Sequence, residues 1–397
     1  MYINVKSKAY SRCFYSKAFV SLLFVAVLVS SCFISMFSNG VSLFVLGASD
    51  RIVSNEVELR TAINNAVGST VIALDNDITL TEQLVIPANK DITLTSTSTS
   101  KFFKLVGGGS RTTLGPGEYS DAVINVKGDG VLKLEGIIVP CPNNILAWNN
   151  LVRVEVRGVL ILYSGELSDN SLAGAVGNGG TFEMYGGKIA NNNGAGVGNG
   201  GSGTFSMFGG EISNNKGFGV SNGGMFSMFG GVISNNDGGG VQNSGTFSMF
   251  GGEISNNMGR NIMQSGGGVS NSGIFGMSGG VISNNQATYG GGVYNWPNGN
   301  FSLFESGVIS NNKAEGGGGV YNAGTFNRNG GVISGNTATQ YGNIYSDGDG
   351  STTDGDGSTT NVDSTDNTMC YVVLVVSIVV LVSIVVGLFS YKKNNKK

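Results

Sequence analysis

The chain has no histidine, five prolines and four cysteines among its 397 residues. Without histidine there can be no Ser-His-Asp triad, no histidine-ligated zinc protease and no haem held by a proximal imidazole. Charged residues make up 12%, about half of the roughly 25% usual in soluble domains. With a net charge of −3, that scarcity excludes a basic nucleic-acid binder. Glycine is abundant, at 66 residues. It does not recur at every third position, however, and proline is rare, so a collagen triple helix is excluded. The 40% share of apolar residues is not that of a disordered chain. Cys13 and Cys32 lie in the leader and Cys370 in the apolar segment near the other end, leaving Cys141 alone in the middle. No intrachain disulfide can form there, so the central domain must draw its stability from something extensive and repeated.

Charge is arranged in blocks. Residues 1–49 carry +4, 50–346 carry −5, 347–368 carry six Asp and no base, and the closing KKNNKK carries +4. Between the last two blocks lie 23 residues without a charge, 369–391. As a helix they would extend about 34 Å, enough to span a bilayer. The positive-inside rule keeps the lysines at 392–397 cytoplasmic and places everything before residue 369 outside. The leader, 1–48, has a basic stretch ending at Lys17 and then about 20 apolar residues. Three readings fit it: a cleaved signal peptide, a retained membrane anchor, or a lipoprotein signal with a cleavage box at Val29-Ser30-Ser31-Cys32. Each leaves the middle of the chain extracellular.

The middle is a repeat. Its clearest copies are GTFSMFGGEISNN (203–215), GMFSMFGGVISNN (224–236) and GTFSMFGGEISNN (245–257), preceded by lead-ins such as GFGVSN (217–222) and GGGVYN (290–295). The apolar residue of the GGxIS element falls at 167, 189, 212, 233, 254, 282, 309 and 333, a base period of 21–22 with insertions. That period marks a solenoid. No amphipathic stretch long enough for a helical repeat fits between the glycines and asparagines. Three short extended pieces do fit, with Phe205 and Met207, then Ile212, then Val220 sharing the inward side. One triangular coil results, and stacking aligns identical residues in columns about 4.8 Å apart. Ser206, Ser227 and Ser248 alternate to the outside. Asn215, Asn236, Asn257, Asn285 and Asn312 recur after the second strand and form a candidate amide ladder with a structural role. The expected class is therefore all-β, a single-stranded parallel β-helix. Residues 50–157 form a cap and irregular coils, with 158–346 the regular repeats. Asn55 and Glu58 make a capping box for a short helix whose apolar stripe, Leu59, Ala62, Ile63 and Ala66, can cover the first coil. Arg328 and Asn329 replace the Met and the aromatic of the repeat, making a polar last coil.

The pattern GGGVxN…GTFxMxGGxISxN resembles the right-handed parallel β-helix repeats of prokaryotic cell-surface proteins. These are adhesin-like or polymorphic-membrane-protein-like chains that share the pectate-lyase-like fold. The resemblance covers 158–345 strongly and 69–157 weakly, and it implies fold and surface location rather than an activity.

Catalytic groups are not legible. Glu166, Glu211 and Glu253 occupy one coil position, but Lys188, Val232 and Val281 interrupt them, and no carboxylate pair repeats at a catalytic spacing. Asp121, Asp129, Glu135, Arg153 and Arg157 are the remaining place for a carbohydrate-active enzyme, which is the alternative reading. A structural envelope element is the third. The tandem DGDGSTT (347–360) lacks the apolar and Glu positions of a calcium loop and reads as an acidic spacer; no metal or cofactor is expected. The candidate ligand-binding feature is an aromatic column one residue after the inward Met: Tyr163, Tyr185, Phe208, Phe229, Phe250, then Ser278, then Phe304. Alternation points it outward, where it would engage sugar rings or an apolar partner. A strand bent at the glycines would instead turn it into core. The expected partners are the membrane and a polysaccharide or other surface partner, with no nucleic acid, and the function favoured is that of an adhesin-like protein.

Overall fold

A computed structural model of the chain describes residues 51–98, 100–107, 122–141, 150–260 and 265–346. The leader, the acidic spacer, the apolar segment 369–391, the basic tail and Asp121 lie outside the described residues. Among the described residues no helix is long and apolar enough to cross a membrane.

The repeat folds as a right-handed parallel β-solenoid of about eleven turns with three sheets. In one coil, Thr204–Met207 belongs to a 12-stranded sheet, Glu211–Ser213 to one 11-stranded sheet and Val220–Asn222 to the other. We call these the phenylalanine, isoleucine and valine sheets. Pairing is parallel and in strict register, so Phe205 meets Phe226, Ile212 meets Ile233 and Val220 meets Val241. The inward residues are those that alternation selects, and they are fully buried. The phenylalanine column Phe182-Phe205-Phe226-Phe247-Phe275-Phe301-Phe326 stacks at 4.7–4.8 Å with planes within 4–7° of parallel. Each such aromatic pair adds about 0.5–1.5 kcal/mol beyond the area it buries.

The start of the solenoid is closed as the capping pattern indicates. A helix spans Glu56–Asn64, with Leu59, Ala62 and Ile63 buried. The Asn55 side chain accepts from the Glu58 N–H at 3.1 Å, and the Glu58 carboxylate accepts from the Ser54 N–H at 2.8 Å. At the other end Arg328 and Asn329 continue the Leu303 and Phe304 positions and are exposed.

Two features of the early and late coils depart from the sequence reading. The runs 131–139 and 152–163 each divide into two strands on different sheets, turning at Gly136 and at Arg157, whose φ is 68°. The insertions that stretch the period near the end are not free loops. Met258, Gln286 and Lys313 bridge one another in parallel, as do Ser265, Tyr289 and Gly316, and Lys313–Gly316 pairs with Thr337–Gln340 as a further two-stranded sheet.

Candidate functional site

The aromatic column leaves the core and forms a stack of its own on the outer face of the phenylalanine sheet. Tyr163, Tyr185, Phe208, Phe229 and Phe250 follow one another at ring-centroid distances of 5.5, 4.7, 5.1 and 5.0 Å, with planes 7–25° apart. Tyr163 and Tyr185 are 40% and 42% exposed, and the three phenylalanines are half-buried. The column is thus distinct from the buried phenylalanine column three residues earlier in each coil. What keeps it outward is the glycine pair that follows. The second glycine of the pair, Gly210, Gly231, Gly252 and Gly280, takes φ of 83–84°, and a Cβ there would strike the Cε of the preceding coil's inward Met at 2.6–2.7 Å. The chain therefore turns the corner immediately, without burying the ring. Ser278 interrupts the stack, and Phe304 stands beyond it, half-buried.

Face-to-face stacking has a chemical consequence. Each ring covers its neighbour's face, so the ribbon presents ring edges outward, and edges carry the positive rim of the quadrupole. Such a ribbon suits an oxygen-rich or flat partner laid along the axis.

Beside the ribbon lies a row of small side chains. Ser206, Ser227 and Ser248 point outward as alternation requires, yet they are only 9%, 7% and 6% exposed. One coil earlier the same position is Glu183, which accepts a hydrogen bond from the Tyr185 hydroxyl at 3.2 Å. Burial pushes the Glu183 carboxyl up, the tyrosine hydrogen bond opposing it only in part. Burial, and then the nearby Glu183 carboxylate, raises both Tyr163 and Tyr185. Lys133 closes this end, paired with Asp91 at 2.7 Å.

Asn215, Asn236, Asn257, Asn285 and Asn312 form a continuous, buried hydrogen-bonded ladder that extends to Asn192 and Asn336. Each Nδ2 donates to the next Oδ1 at 2.8–3.0 Å. The same Oδ1 also accepts the preceding backbone N–H, at 2.9–3.1 Å. Positive φ, 56–57°, falls instead on the asparagine before each member, Asn214, Asn235, Asn256, Asn284 and Asn311. A second ladder, unread in the sequence, joins Asn178, Asn199, Asn222, Asn243, Asn271, Asn295 and Asn322 at 2.7–2.8 Å. Its signal was the invariant Asn of the GxGVxN lead-in.

Among the described residues the candidate enzyme cluster is not brought together at one place. Arg157 pairs with Asp129 at 2.7 Å at an exposed corner, Arg153 belongs to the valine sheet and Glu135 to the phenylalanine sheet. Glu155, next to Arg153 in the chain, is held by Lys127 at 2.8 Å and Asn125 at 3.0 Å. Lys188 and Glu211 sit opposite in register at 3.4 Å, and Val232 separates Glu211 from Glu253. Among the described residues no group of three potential metal ligands comes together.

Sequence reasoning also missed an outer column on the valine sheet, Tyr294-Tyr321-Tyr345. The tyrosine of V-Y-N, between inward Val and inward Asn, was its signal at Tyr294 and Tyr321, and Tyr345 continues it in I-Y-S. Comparison of the chain with protein-family models, with curated proteins and with solved structures finds no match.

Proposed function

We propose that the chain is a membrane-anchored cell-surface protein of adhesin-like type that binds a polysaccharide, or another extended surface partner, along its β-helix. The observation that carries this reading is the outward stack from Tyr163 to Phe250. A buried stack would need no explanation beyond the core, but a half-exposed one leaves apolar area in water on five consecutive coils. A partner running along the axis meets an aromatic contact at every coil from Tyr163 to Phe250, so weak single contacts sum to useful avidity. Membrane anchoring rests on the charge-free segment 369–391 and the lysines after it.

The test is the triple variant Phe208→Ser, Phe229→Ser, Phe250→Ser, assayed for retention on a panel of neutral and acidic polysaccharides. Because these rings lie outside the core, the variant is expected to keep its β circular dichroism and lose retention steeply, whereas Phe229→Ser alone weakens it modestly. A folded triple variant retained as well as the parent would overturn the reading.

A further inference from the structure

We infer that Tyr289, Tyr294, Trp296, Tyr321, Tyr341 and Tyr345 form a second binding site, a platform on the outer face of the valine sheet for a neutral oligosaccharide. It lies on a different sheet from the ribbon and does not depend on it. The floor is the register column Tyr294-Tyr321-Tyr345, with centroids 4.9 and 4.7 Å apart. On one side Trp296 crosses Tyr294 at 64° and 4.6 Å. Its indole N–H donates to Ser270 Oγ at 3.0 Å, which fixes the ring in place. On the other side the in-register insertions supply Tyr289, at 69° to Tyr321, and Tyr341, at 41° to Tyr345.

Three observations separate this cluster from ordinary packing. Its rings cross at 41–69° everywhere except the Tyr294–Tyr321 pair. Rings crossed at such angles overlap less than the parallel rings of the ribbon, so the cluster presents parts of ring faces as well as edges at the surface. Tyr341 takes φ of 60° and is 53% exposed. It is the one aromatic among the described residues held in the left-handed region, a strain of the order of 1–3 kcal/mol at a half-exposed ring. Tyr289, 40% exposed, and Tyr341 both lean over Gly316, where a Cβ would come within 3.1 and 3.3 Å of their rings. The glycine lets two coils bring their rings to one place.

The chemistry selects the ligand class. The six side chains present aromatic rings, the phenol hydroxyls of Tyr289, Tyr341 and Tyr345 among their polar groups, and no charge, which matches a ring with an apolar C–H face and a hydroxyl rim. An acidic sugar would find no cation within the platform. The aliphatic contacts that an apolar protein surface would seek are absent from it.

Trp148→Phe leaves Trp296 as the sole tryptophan and makes its emission the readout. The full-length chain is titrated at millimolar concentrations with cellohexaose, chitohexaose and xylohexaose, and with hexagalacturonate as the acidic counterpart. At least one neutral hexasaccharide is expected to give a saturable shift that hexagalacturonate does not. Tyr289→Ala and Tyr341→Ala, at exposed rings where folding is not at stake, should each weaken that response roughly tenfold or more, and Tyr321→Phe should retain it. The ribbon triple variant should leave the response intact, so failure of the ribbon reading and failure of this one are distinguishable. No response to any neutral sugar overturns the proposal. So does concentration-dependent self-association in sedimentation that Tyr341→Ala abolishes, since a second copy would then be the occupant.

Discussion

Adjacent asparagines in this chain do opposite work. Asn236 is fully buried; its Oδ1 accepts from the backbone and the side chain of Asn215, and its Nδ2 donates to Ile212 O and Asn257 Oδ1. Asn236→Leu would break all four bonds and take from the buried Asn215 backbone N–H the acceptor it has here, and a buried unmet polar group costs about 1–3 kcal/mol. Chemical denaturation is expected to show a loss of several kcal/mol. Asn235 is exposed at φ 57°. There Asn235→Gly should be nearly neutral and Asn235→Val destabilising by about 1–3 kcal/mol. Equal effects at the two positions would contradict the division between corner and ladder. Glu183 gives a pH signature. Its native carboxyl holds a proton more tightly than in the unfolded chain, because burial disfavours the charge. Stability from this group therefore falls as pH rises from the ordinary carboxylate value, about 4.3, through the raised native one, and stays lower above it. Glu56 runs the other way. Burial alone would raise it, but the Thr81 N–H, Arg60 and the Thr81 hydroxyl together hold it low, so its contribution is lost on acidification. The difference between Glu183→Gln and the parent isolates the first effect. Melting temperatures should coincide below the carboxylate range and favour the variant at neutral pH; a less stable variant at neutral pH would refute the sign.

At the scale of the strand, position along the alternation decides how much a substitution costs. Ile233 is fully buried between Ile212 and Ile254. Ile233→Asp places an unpaired carboxylate in the core and should cost several kcal/mol by denaturation, opening the neighbouring coils. Ser227 points outward, and alternation alone would make any change there silent. At 7% exposure it is packed beside the ribbon instead, so Ser227→Ala should be near neutral but Ser227→Asp should cost more than a surface change. This contrast shows what a sequence reveals. Period and alternation give the side of the sheet on which a residue stands, so the Phe, Met, Ile and Val columns, the helical cap and the polar last coil were legible. They do not give how neighbours close over a small side chain, nor the angle between ring planes. The ribbon's place was therefore readable and its edge-on presentation was not. The tyrosine platform was less visible still. Tyr289 and Tyr341 reach it only because the insertions stack in register, and an irregular spacing of 28, 27 and 24 residues reads as loops.

At the scale of the molecule, the solenoid's two ends differ. The helix Glu56–Asn64 covers the first coils, protecting strand edges that would otherwise recruit other chains, whereas the last coil is made polar by Arg328 and Asn329. Strength along the axis is a sum of coil-to-coil contacts, here three parallel sheets over about eleven turns and two seven-membered amide ladders. Such a body carries no disulfide among its described residues, and its free thiol, Cys141, is buried and shifted upward by that burial. It is thus suited to an extracellular place without oxidative pairing, the place the proposed topology assigns it. Protease added to intact cells expressing the full chain is expected to sever the Asp/Gly/Ser/Thr spacer, 347–368, first, because tight stacking shields the described coils from cleavage. An antibody against the lysine-rich tail should then report a small membrane-retained fragment, while one against the solenoid follows the signal into the medium. Breaking the cells before digestion should remove the tail epitope as well. Cells whose solenoid and spacer stay intact until they are lysed would place the β-helix inside, and a surface-binding role would fall with that result.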